Sequence, residues 1–181
     1  MEKCFTNITD DLKDFILSQK MFFVGTAPNT EDKVHISPKG YDTLKIINEN
    51  KILYLDFFGS ENDTARHLNQ SRKITLMWYS FDSEQCILRA FGNGKVISKG
   101  TDDFNRLLKQ HFNTYNEKET RQIFEIKIHK LVTTCEVGVP IMKYEKDRDT
   151  LHKAAEVMFI KNPAGKLLSK IFDFTNSKKI K

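Results

Sequence analysis

The sequence has few cysteines and no long apolar run. Cys4, Cys86 and Cys135 are odd in number and far apart, so no pair has the spacing of a metal site or of a disulfide framework. No apolar stretch approaches the roughly 18 residues that a membrane-spanning helix needs. The first residues include several early acidic side chains and show no signal-peptide pattern. These absences predict a protein without a membrane segment, located in a reducing cytoplasm.

The sequence also lacks the usual groupings of catalytic side chains. Its five histidines show no HxH or HxxxH spacing, which argues against a metal site. No serine lies in a Gly-x-Ser-x-Gly turn. Cys86 and Cys135 lie in predicted strands, which favours packing over nucleophilic catalysis. No catalytic residue can therefore be named, and the pattern is typical of a protein in which a cofactor supplies the chemistry.

The composition is that of one globular domain with its own core. Of 181 residues, 39% are apolar and 29% are charged, which excludes a disordered chain. The net charge of +5 permits an anionic partner such as a phosphorylated small molecule or nucleic acid. No stripe of alternating aromatic and basic residues of the kind found in RNA-binding sheets is present, so nucleic acid is not the expected partner.

Apolar periodicity predicts a mainly β fold with peripheral helices, built as a single antiparallel barrel domain. An N-terminal helix over 9–20 precedes a barrel over about 21–140, and a C-terminal helical extension covers 147–175. Pro38 cannot donate to a sheet ladder, so the second strand is expected to end at Ser37. The predicted strands are Met21–Ala27, Val34–Ser37, Thr43–Ile47, Ile52–Phe58, Lys73–Tyr79, Cys86–Phe91, Lys95–Ser98 and Arg121–Leu131.

The stretch KILYLDFFGSENDTARHL, residues 51–68, is the centre of the predicted site. It predicts a buried strand, a Gly59-Ser60 turn and a short helix that opens at Asn62 or Asp63. A helix N-terminus carries unpaired N–H donors and a partial positive charge, which attract phosphate. Ser60, Asn62 and Arg66 add suitable side chains. The alternative is an ordinary helix capped by Asp63.

Three other polar residues in the predicted barrel each allow a structural and a functional interpretation. Lys39 is either a solvated loop charge or a point charge directed at an anion. Arg89, between apolar neighbours, is either surface-facing or a ligand residue that needs a carboxylate or an anion. Asp56 either pairs with Arg89 or accepts a hydrogen bond from a ligand N–H. Trp78 is a core or dimer-contact residue, or it stacks on a ligand ring.

The order of five segments resembles the flavin-binding split-barrel family related to pyridoxamine 5′-phosphate oxidase. The segments are FFVGTA, VHISPKGYD, ILYLDFFGSENDTARHL, KITLMWYSF and ILRAFGNGKVI. Within that family the chain is most similar to the oxidase-like branch marked by Ser-Pro-Lys-Gly and Gly-Ser-x-Asn. The resemblance covers about 21–140, and its weight lies in the order and spacing of the segments.

The resemblance implies a six-stranded antiparallel split barrel that forms a homodimer with FMN at the interface. Lys39 and Ser60 would then bind the FMN phosphate, with Asn62 and Arg66 beside them. The other implied cofactor-binding residues are Ser37 and Asp56, near the ribityl chain or ring edge, and Arg89, nearer the phosphate or ring.

Several departures from the family pattern argue against vitamin B6 as the substrate. Glu61 and Asn62 stand where pyridoxamine phosphate oxidases have Arg-Lys, and Cys86 and Ile87 stand where they have Arg-Gln. The Arg-rich C-terminal substrate motif is also absent. The prediction is an FMN-dependent oxidoreductase acting on another small-molecule substrate or electron donor. The alternative is a non-catalytic module that binds haem, a deazaflavin or another ligand.

Overall fold

Alternating apolar residues build one curled antiparallel sheet with helices at its periphery. The computed structural model describes residues 2–30, 33–59, 62–82, 84–135 and 137–150. The strands in this part of the chain are β1 (Lys3–Phe5), β2 (Met21–Thr26), β3 (His35–Gly40), β4 (Leu44–Asn48), β5 (Lys51–Phe57), β6 (Lys73–Tyr79), β7 (Ile87–Ser98) and β8 (Thr120–Thr134). The helices are α1 (Asp10–Ser18), α2 (Asp63–Ser71) and α3 (Asp102–His111), with a 3-10 turn at Glu117–Glu119. The predicted mainly β fold with peripheral helices is confirmed.

The strands are ordered β3-β2-β6-β7-β8-β5-β4, and β1 pairs with β8 beside this path. All strand pairs are antiparallel, and the long strands β7 and β8 form the middle of the sheet. The sheet curls into a half-barrel, which brings β3 at one end of the order close to β5 near the other. A contact between Lys39 on β3 and Asp56 on β5 marks this closure.

Two apolar clusters cover the two faces of the sheet. The cluster inside the barrel includes Phe22, Tyr54, Trp78 and Phe124, all at most 3% exposed. The second cluster packs α3 against β5 and β8 and is made by Leu53, Leu55, Ile97, Phe104, Leu107, Leu108, Phe112 and Ile123. Each such side chain contributes about 1.5–3 kcal/mol through burial. Trp78 therefore belongs to the core of this chain.

The expectation that Ser37-Pro38-Lys39-Gly40 ends a strand is wrong. β3 continues through Pro38 to Gly40, and Pro38 lies opposite Phe23 of β2. Because β3 lies at the edge of the sheet and pairs only with β2, no second neighbouring strand requires a backbone N–H at position 38, which proline lacks. This continuation fixes Lys39 in a strand rather than in a loop.

The two predicted strands on either side of Gly92-Asn93-Gly94 are one strand, β7, with a bulge. Its register against β8 shifts between Phe91 and Gly92. A Cβ atom at Gly92 would lie 2.7 Å from the Lys127 carbonyl oxygen, so only glycine fits this close approach. The bulge lets a single long strand follow the curvature of the barrel.

The structure tests the predicted N-terminal helix but not most of the predicted C-terminal extension. The N-terminal helix forms with Thr9 as its cap, since the Thr9 hydroxyl accepts a hydrogen bond from the Leu12 amide. Most of the predicted C-terminal helical extension, residues 151–175, lies outside the described residues. Before it, residues 137–142 cross the end of β6, where the Tyr79 hydroxyl donates to the Val139 carbonyl. No helix in the described part is both long and apolar enough to cross a membrane.

Candidate functional site

The edge strand β3 carries polar side chains toward the barrel interior. Ser37 lies opposite Val24 and Lys39 lies opposite Phe22 in the antiparallel register. Directly opposed residues of an antiparallel pair share a face, and Val24 and Phe22 are buried. Ser37 and Lys39 therefore point into the mouth of the barrel.

Asp56 on β5 meets Lys39 in this mouth. The Lys39 ammonium donates to one Asp56 carboxylate oxygen at 3.3 Å, and the Gln122 amide donates to the other at 3.0 Å. Asp56 is 9% exposed, and a buried carboxyl group is costly unless it has such hydrogen-bond partners. Of the two alternatives for Asp56, the pairing with Arg89 is wrong, because Lys39 and Gln122 are the partners of the carboxylate.

The same Gln122 amide also reaches the start of α2. It donates to the Asn62 side-chain oxygen at 2.6 Å. Asn62 occupies the N-cap position without making a side-chain capping bond, and Asp63 is the first helical residue. The expected helix start at Asn62 or Asp63 is confirmed. Lys39, Asp56 and Asn62, from three separate segments, are thus connected through one glutamine.

Arg66 lies one turn into α2 and is held by its neighbours. Its guanidinium donates to Asp63 at 2.9 and 3.1 Å and approaches His67 Nε2 at 3.2 Å. Because arginine has only donors, His67 Nε2 must accept. On the other side of the ring, His67 Nδ1 lies 3.1 Å from the Thr26 hydroxyl. This buried imidazole fixes the orientation of the Arg66 side chain.

His35 adds an imidazole beside this group. Its ring centroid lies 6.3 Å from that of His67, edge to face, and its Nδ1 lies 3.9 Å from an Asp63 carboxylate oxygen. His35 alternates with Ser37 and Lys39 along β3, so all three side chains face the same way. We call Ser37, Lys39, Asp56, Asn62, Asp63, Arg66 and Gln122, together with His35 and His67, the mouth cluster.

One polar atom of the mouth cluster lacks a partner within the described residues. The Ser37 hydroxyl oxygen is buried and makes no hydrogen bond there. A buried hydroxyl without a partner costs about 1–3 kcal/mol, which a bound ligand with a hydrogen-bonding group would recover. Ser60, the other predicted hydroxyl, lies outside the described residues. Arg121 contacts the carbonyl oxygen of Gly59, which directly precedes it.

The charges of the mouth cluster are matched. Lys39 faces Asp56 and Arg66 faces Asp63, so neither cation lies without a carboxylate. Below the cluster, burial and then the Asp56 charge raise the pKa of the Tyr54 hydroxyl well above its usual value. An anionic ligand would have to replace these carboxylates as the partner of Lys39 or Arg66.

Arg89 lies apart from the other predicted site residues. Its neighbours Leu88 and Ala90 are fully buried, whereas Arg89 points to the outer face of the sheet. Its guanidinium donates to the Thr134 hydroxyl at 3.1 Å. It borders an open groove of about 590 Å³, here called the outer groove, whose other lining residues include Phe23, Ile36, Met77, Phe91 and His129.

The sequence interpretation missed Gln122, His35 and His67. Gln122 could have been found, because it shares the inward face of β8 with the apolar Phe124 and Ile126 and breaks their pattern. His35 could have been found from its alternation with Lys39. His67 has no such signal, since its role follows from the packing of α2 on β2. No group of three or more His, Cys, Asp or Glu side chains in the described segments is placed to hold a metal ion.

Comparison with known proteins identifies the family. The sequence profile described as Pyridoxamine 5′-phosphate oxidase matches residues 8–135. The chain belongs to this family. It is 29% identical over 148 residues to the pyridoxamine 5′-phosphate oxidase family protein ustO of Aspergillus flavus. The aligned residues make up 81% of this chain. The chain spans only 59% of the length of that relative.

Solved structures of low sequence identity share the fold. HupZ from Group A Streptococcus has a TM-score of 0.55 at 16% identity, covering 68% of this chain and 91% of HupZ. HutZ from Vibrio cholerae, described as a heme storage protein, has a TM-score of 0.51 at 11% identity, covering 73% of this chain and 99% of HutZ. The split-barrel fold expected from the sequence is confirmed.

Proposed function

We propose that the protein is a homodimeric FMN-binding flavoprotein that acts as an oxidoreductase on a small molecule other than vitamin B6. The observation that carries the proposal is the contact chain Lys39–Asp56–Gln122–Asn62, which joins three predicted cofactor-binding residues in one place. Membership of the pyridoxamine 5′-phosphate oxidase family supports a flavin as the ligand. The proposal extends to a cytoplasmic location.

The mouth cluster has the donors that a phosphate ester with a polyhydroxyl chain requires. Lys39 and Arg66, with Ser60, would bind the phosphate by charge-assisted hydrogen bonds. Asn62 lies beside them at the start of α2, where a helix N-terminus favours an anion. Ser37 and Asp56 would bind the ribityl hydroxyls, and the buried Ser37 oxygen fits that role because it lacks another partner.

Binding of the phosphate would exchange one set of ion pairs for another. The Lys39–Asp56 distance of 3.3 Å is long for a charge-assisted bond, and the Lys39 side chain is 27% exposed. Lys39 can therefore turn to a phosphate oxygen while Gln122 keeps Asp56 satisfied. When bound, FMN would supply hydride transfer at its N5 position. The protein residues would position the cofactor and limit access to its ring.

The outer groove supports the proposed homodimer. Val34 and Ile36 are 68% and 67% exposed, although they border an apolar groove with Phe23, Met77 and Phe91. Exposed apolar surface of this kind marks interaction sites. A second copy on this face would bury these apolar side chains, and Arg89 at the border of the groove would then lie at the interface.

Haem in the outer groove is a second candidate. The groove is largely apolar and includes His129 and Arg89, which are suited to bind iron and a propionate respectively. The structurally similar HutZ is described as a heme storage protein. This candidate places the ligand on the outer face, whereas FMN involves the mouth cluster.

The absorbance spectrum of the purified protein distinguishes the two candidates. Flavin and haem absorb at different wavelengths, so the spectrum of a co-purified chromophore shows which of the two is bound. If the protein is purified without a chromophore, titration with FMN should give saturable binding at micromolar concentration. A haem spectrum, or the absence of FMN binding, would contradict the proposed function.

A further inference from the structure

Two cysteines lie opposite each other at the open end of the β7–β8 ladder. The final printed pair of this ladder is Ile87 with Thr134, and one further antiparallel step places Cys86 opposite Cys135. On the opposite edge of β7, the hydrogen bonds to β6 extend as far as Cys86. The amide of Ser80, just after β6, donates to the Cys86 carbonyl at 3.0 Å. The register therefore sets the two thiols side by side, although 48 residues separate them in the sequence.

The spacing of such a pair suits a disulfide. Opposed residues of an antiparallel pair have Cα atoms about 4.5–5.5 Å apart. This range lies within the roughly 4.4–6.8 Å found between the Cα atoms of disulfide-bonded cysteines. Both residues are thiols in this structure, Cys135 being exposed and Cys86 half-buried. Formation of the bond would require only local adjustment at the ends of the two strands.

The electrostatic surroundings of the Cys86 thiol include Cys135. Burial raises the pKa of the Cys86 thiol, and the nearby Glu84 and Cys135 raise it further. Cys135 is the more accessible of the two and meets a solvent-borne reagent first. Cys86 is positioned to react second, from the protected side.

We propose that Cys86 and Cys135 form a reversible cross-strand disulfide, which is a redox modification site at the end of the barrel. The oxidant is a low-molecular-weight disulfide of the glutathione type. The Cys135 thiolate attacks it, forms a mixed disulfide and releases one thiol. The Cys86 thiolate then attacks the Cys135 sulfur, forms the protein disulfide and releases the second thiol. The protein loses two protons and two electrons, and the small disulfide takes them up as two thiols.

The bond would stabilise two groups of contacts, one on each side of Cys135 in the chain. Thr134, the preceding residue, accepts the hydrogen bond from Arg89 at 3.1 Å. Residues 137–142 follow and cover the end of β6, where Met142 donates to the Phe81 carbonyl at 2.8 Å. Oxidation would therefore restrain both the Arg89 contact and the segment over Tyr79.

Oxidation of the full-length chain tests the proposal directly. The reduced protein is incubated with glutathione disulfide, remaining thiols are alkylated, and the digest is analysed by mass spectrometry. We expect a peptide pair that joins Cys86 to Cys135, about 2 Da lighter than the sum of the two reduced peptides. Treatment with dithiothreitol should restore both thiols. Cys4, exposed on β1, provides the internal control and should carry no bond to either residue.

Single variants separate the pair from general thiol reactivity. Cys86→Ser should leave Cys135 as a persistent glutathione adduct, because the resolving thiol is absent. The control Cys4→Ser should form the Cys86–Cys135 bond as the wild type does. Separate glutathione adducts on Cys86 and Cys135 of the wild type would overturn the proposal, as would unmodified thiols at both positions.

Discussion

The edge strand β3 has a polar inner face and an apolar outer face, the reverse of an ordinary edge strand. Ser37 and Lys39 point into the barrel mouth, whereas Ile36 and the preceding Val34 point to solvent. A strand with one solvated face normally places its apolar side chains inward. Polar groups inside cost free energy unless they are paired, and apolar groups outside gain none. The reversal supports the proposal of a polar ligand at the inner face and of a second copy at the outer face.

The largest expected effect concerns the inner face. Lys39→Ala combined with Arg66→Ala should weaken FMN binding by about 1,000-fold, or about 4 kcal/mol, because two charge-assisted hydrogen bonds to the phosphate are lost. Isothermal titration calorimetry measures the change. The double variant Lys13→Ala/Lys109→Ala removes the same charge from exposed helix positions and serves as the control.

A loss of affinity in this control equal to that in the site variant would show that net charge alone attracts FMN. Because Lys39→Ala leaves the Asp56 carboxylate with Gln122 as its remaining described partner, folding of the variant is checked by its thermal transition. Lys39→Gln, which keeps a donor for Asp56, is the second variant if the first does not fold.

The next largest effect concerns the outer face. Ile36→Glu should raise the dimer dissociation constant by about 100-fold, since it places a charge in the centre of the proposed apolar interface. Sedimentation velocity over a concentration series gives the constant. Leu17→Glu alters an exposed apolar residue on α1, away from the groove, and should leave the dimer intact. A monomeric wild type would contradict the interface.

The bulge at the rim of the outer groove should show a smaller effect on stability. Gly92→Ala places a Cβ atom 2.7 Å from the Lys127 carbonyl oxygen and 2.9 Å from Ile126 Cγ2. We expect a loss of about 2 kcal/mol in the free energy of unfolding, measured in urea, because backbone cannot move aside. Gly40→Ala, whose nearest contact would be an ordinary 3.8 Å, should cost clearly less.

The smallest effect is a pH dependence beneath the inner face. Burial raises the pKa of Tyr54 above its usual value of 10.0, so the folded state favours the neutral phenol. Its contribution to stability is complete below pH 10 and is lost as the pH rises through the folded-state pKa. Because the buried Tyr54 hydroxyl makes no hydrogen bond within the described residues, Tyr54→Phe should raise the free energy of unfolding at pH 7 by about 1 kcal/mol.

In the alkaline range the same variant should lose less stability than the wild type, because no buried phenol has to ionise. Urea unfolding at neutral and alkaline pH checks this difference. Tyr144→Phe, at an exposed position, should follow the wild type. An equal alkaline loss in wild type and Tyr54→Phe would show that other groups control alkaline unfolding.

Local signals predicted the elements and part of the mouth cluster. Thr9 and Thr101 cap helices through hydrogen bonds to nearby backbone amides, a signal that depends only on the following residues. The meeting of Lys39 and Asp56 could be expected once a barrel was assumed, since both sit on polar interruptions of apolar strands. The pairing of Asp56 with Gln122 could not be predicted, because the register of β5 against β8 depends on the whole sheet.

The other differences have the same origin. Pro38 continues a strand because β3 is at an edge, which no local pattern reveals. Arg89 lies on the opposite face from Lys39, because its neighbours Leu88 and Ala90 on β7 face the core inside the barrel. The sequence pattern favours packing roles for Cys86 and Cys135, whereas the β7–β8 register ends at the residues directly beside them, Ile87 and Thr134. Strand pairing between residues far apart in the sequence therefore limited what could be predicted. Local secondary-structure propensity did not.

The ratio of FMN affinity to riboflavin affinity is the most direct test of the mouth cluster as a flavin phosphate site. The two ligands share the ring and ribityl chain and differ only in the phosphate. We expect the wild type to bind FMN at least about 100-fold more tightly than riboflavin, and we expect the Lys39→Ala/Arg66→Ala variant to lose this preference. Equal affinity of the wild type for both ligands would contradict the account.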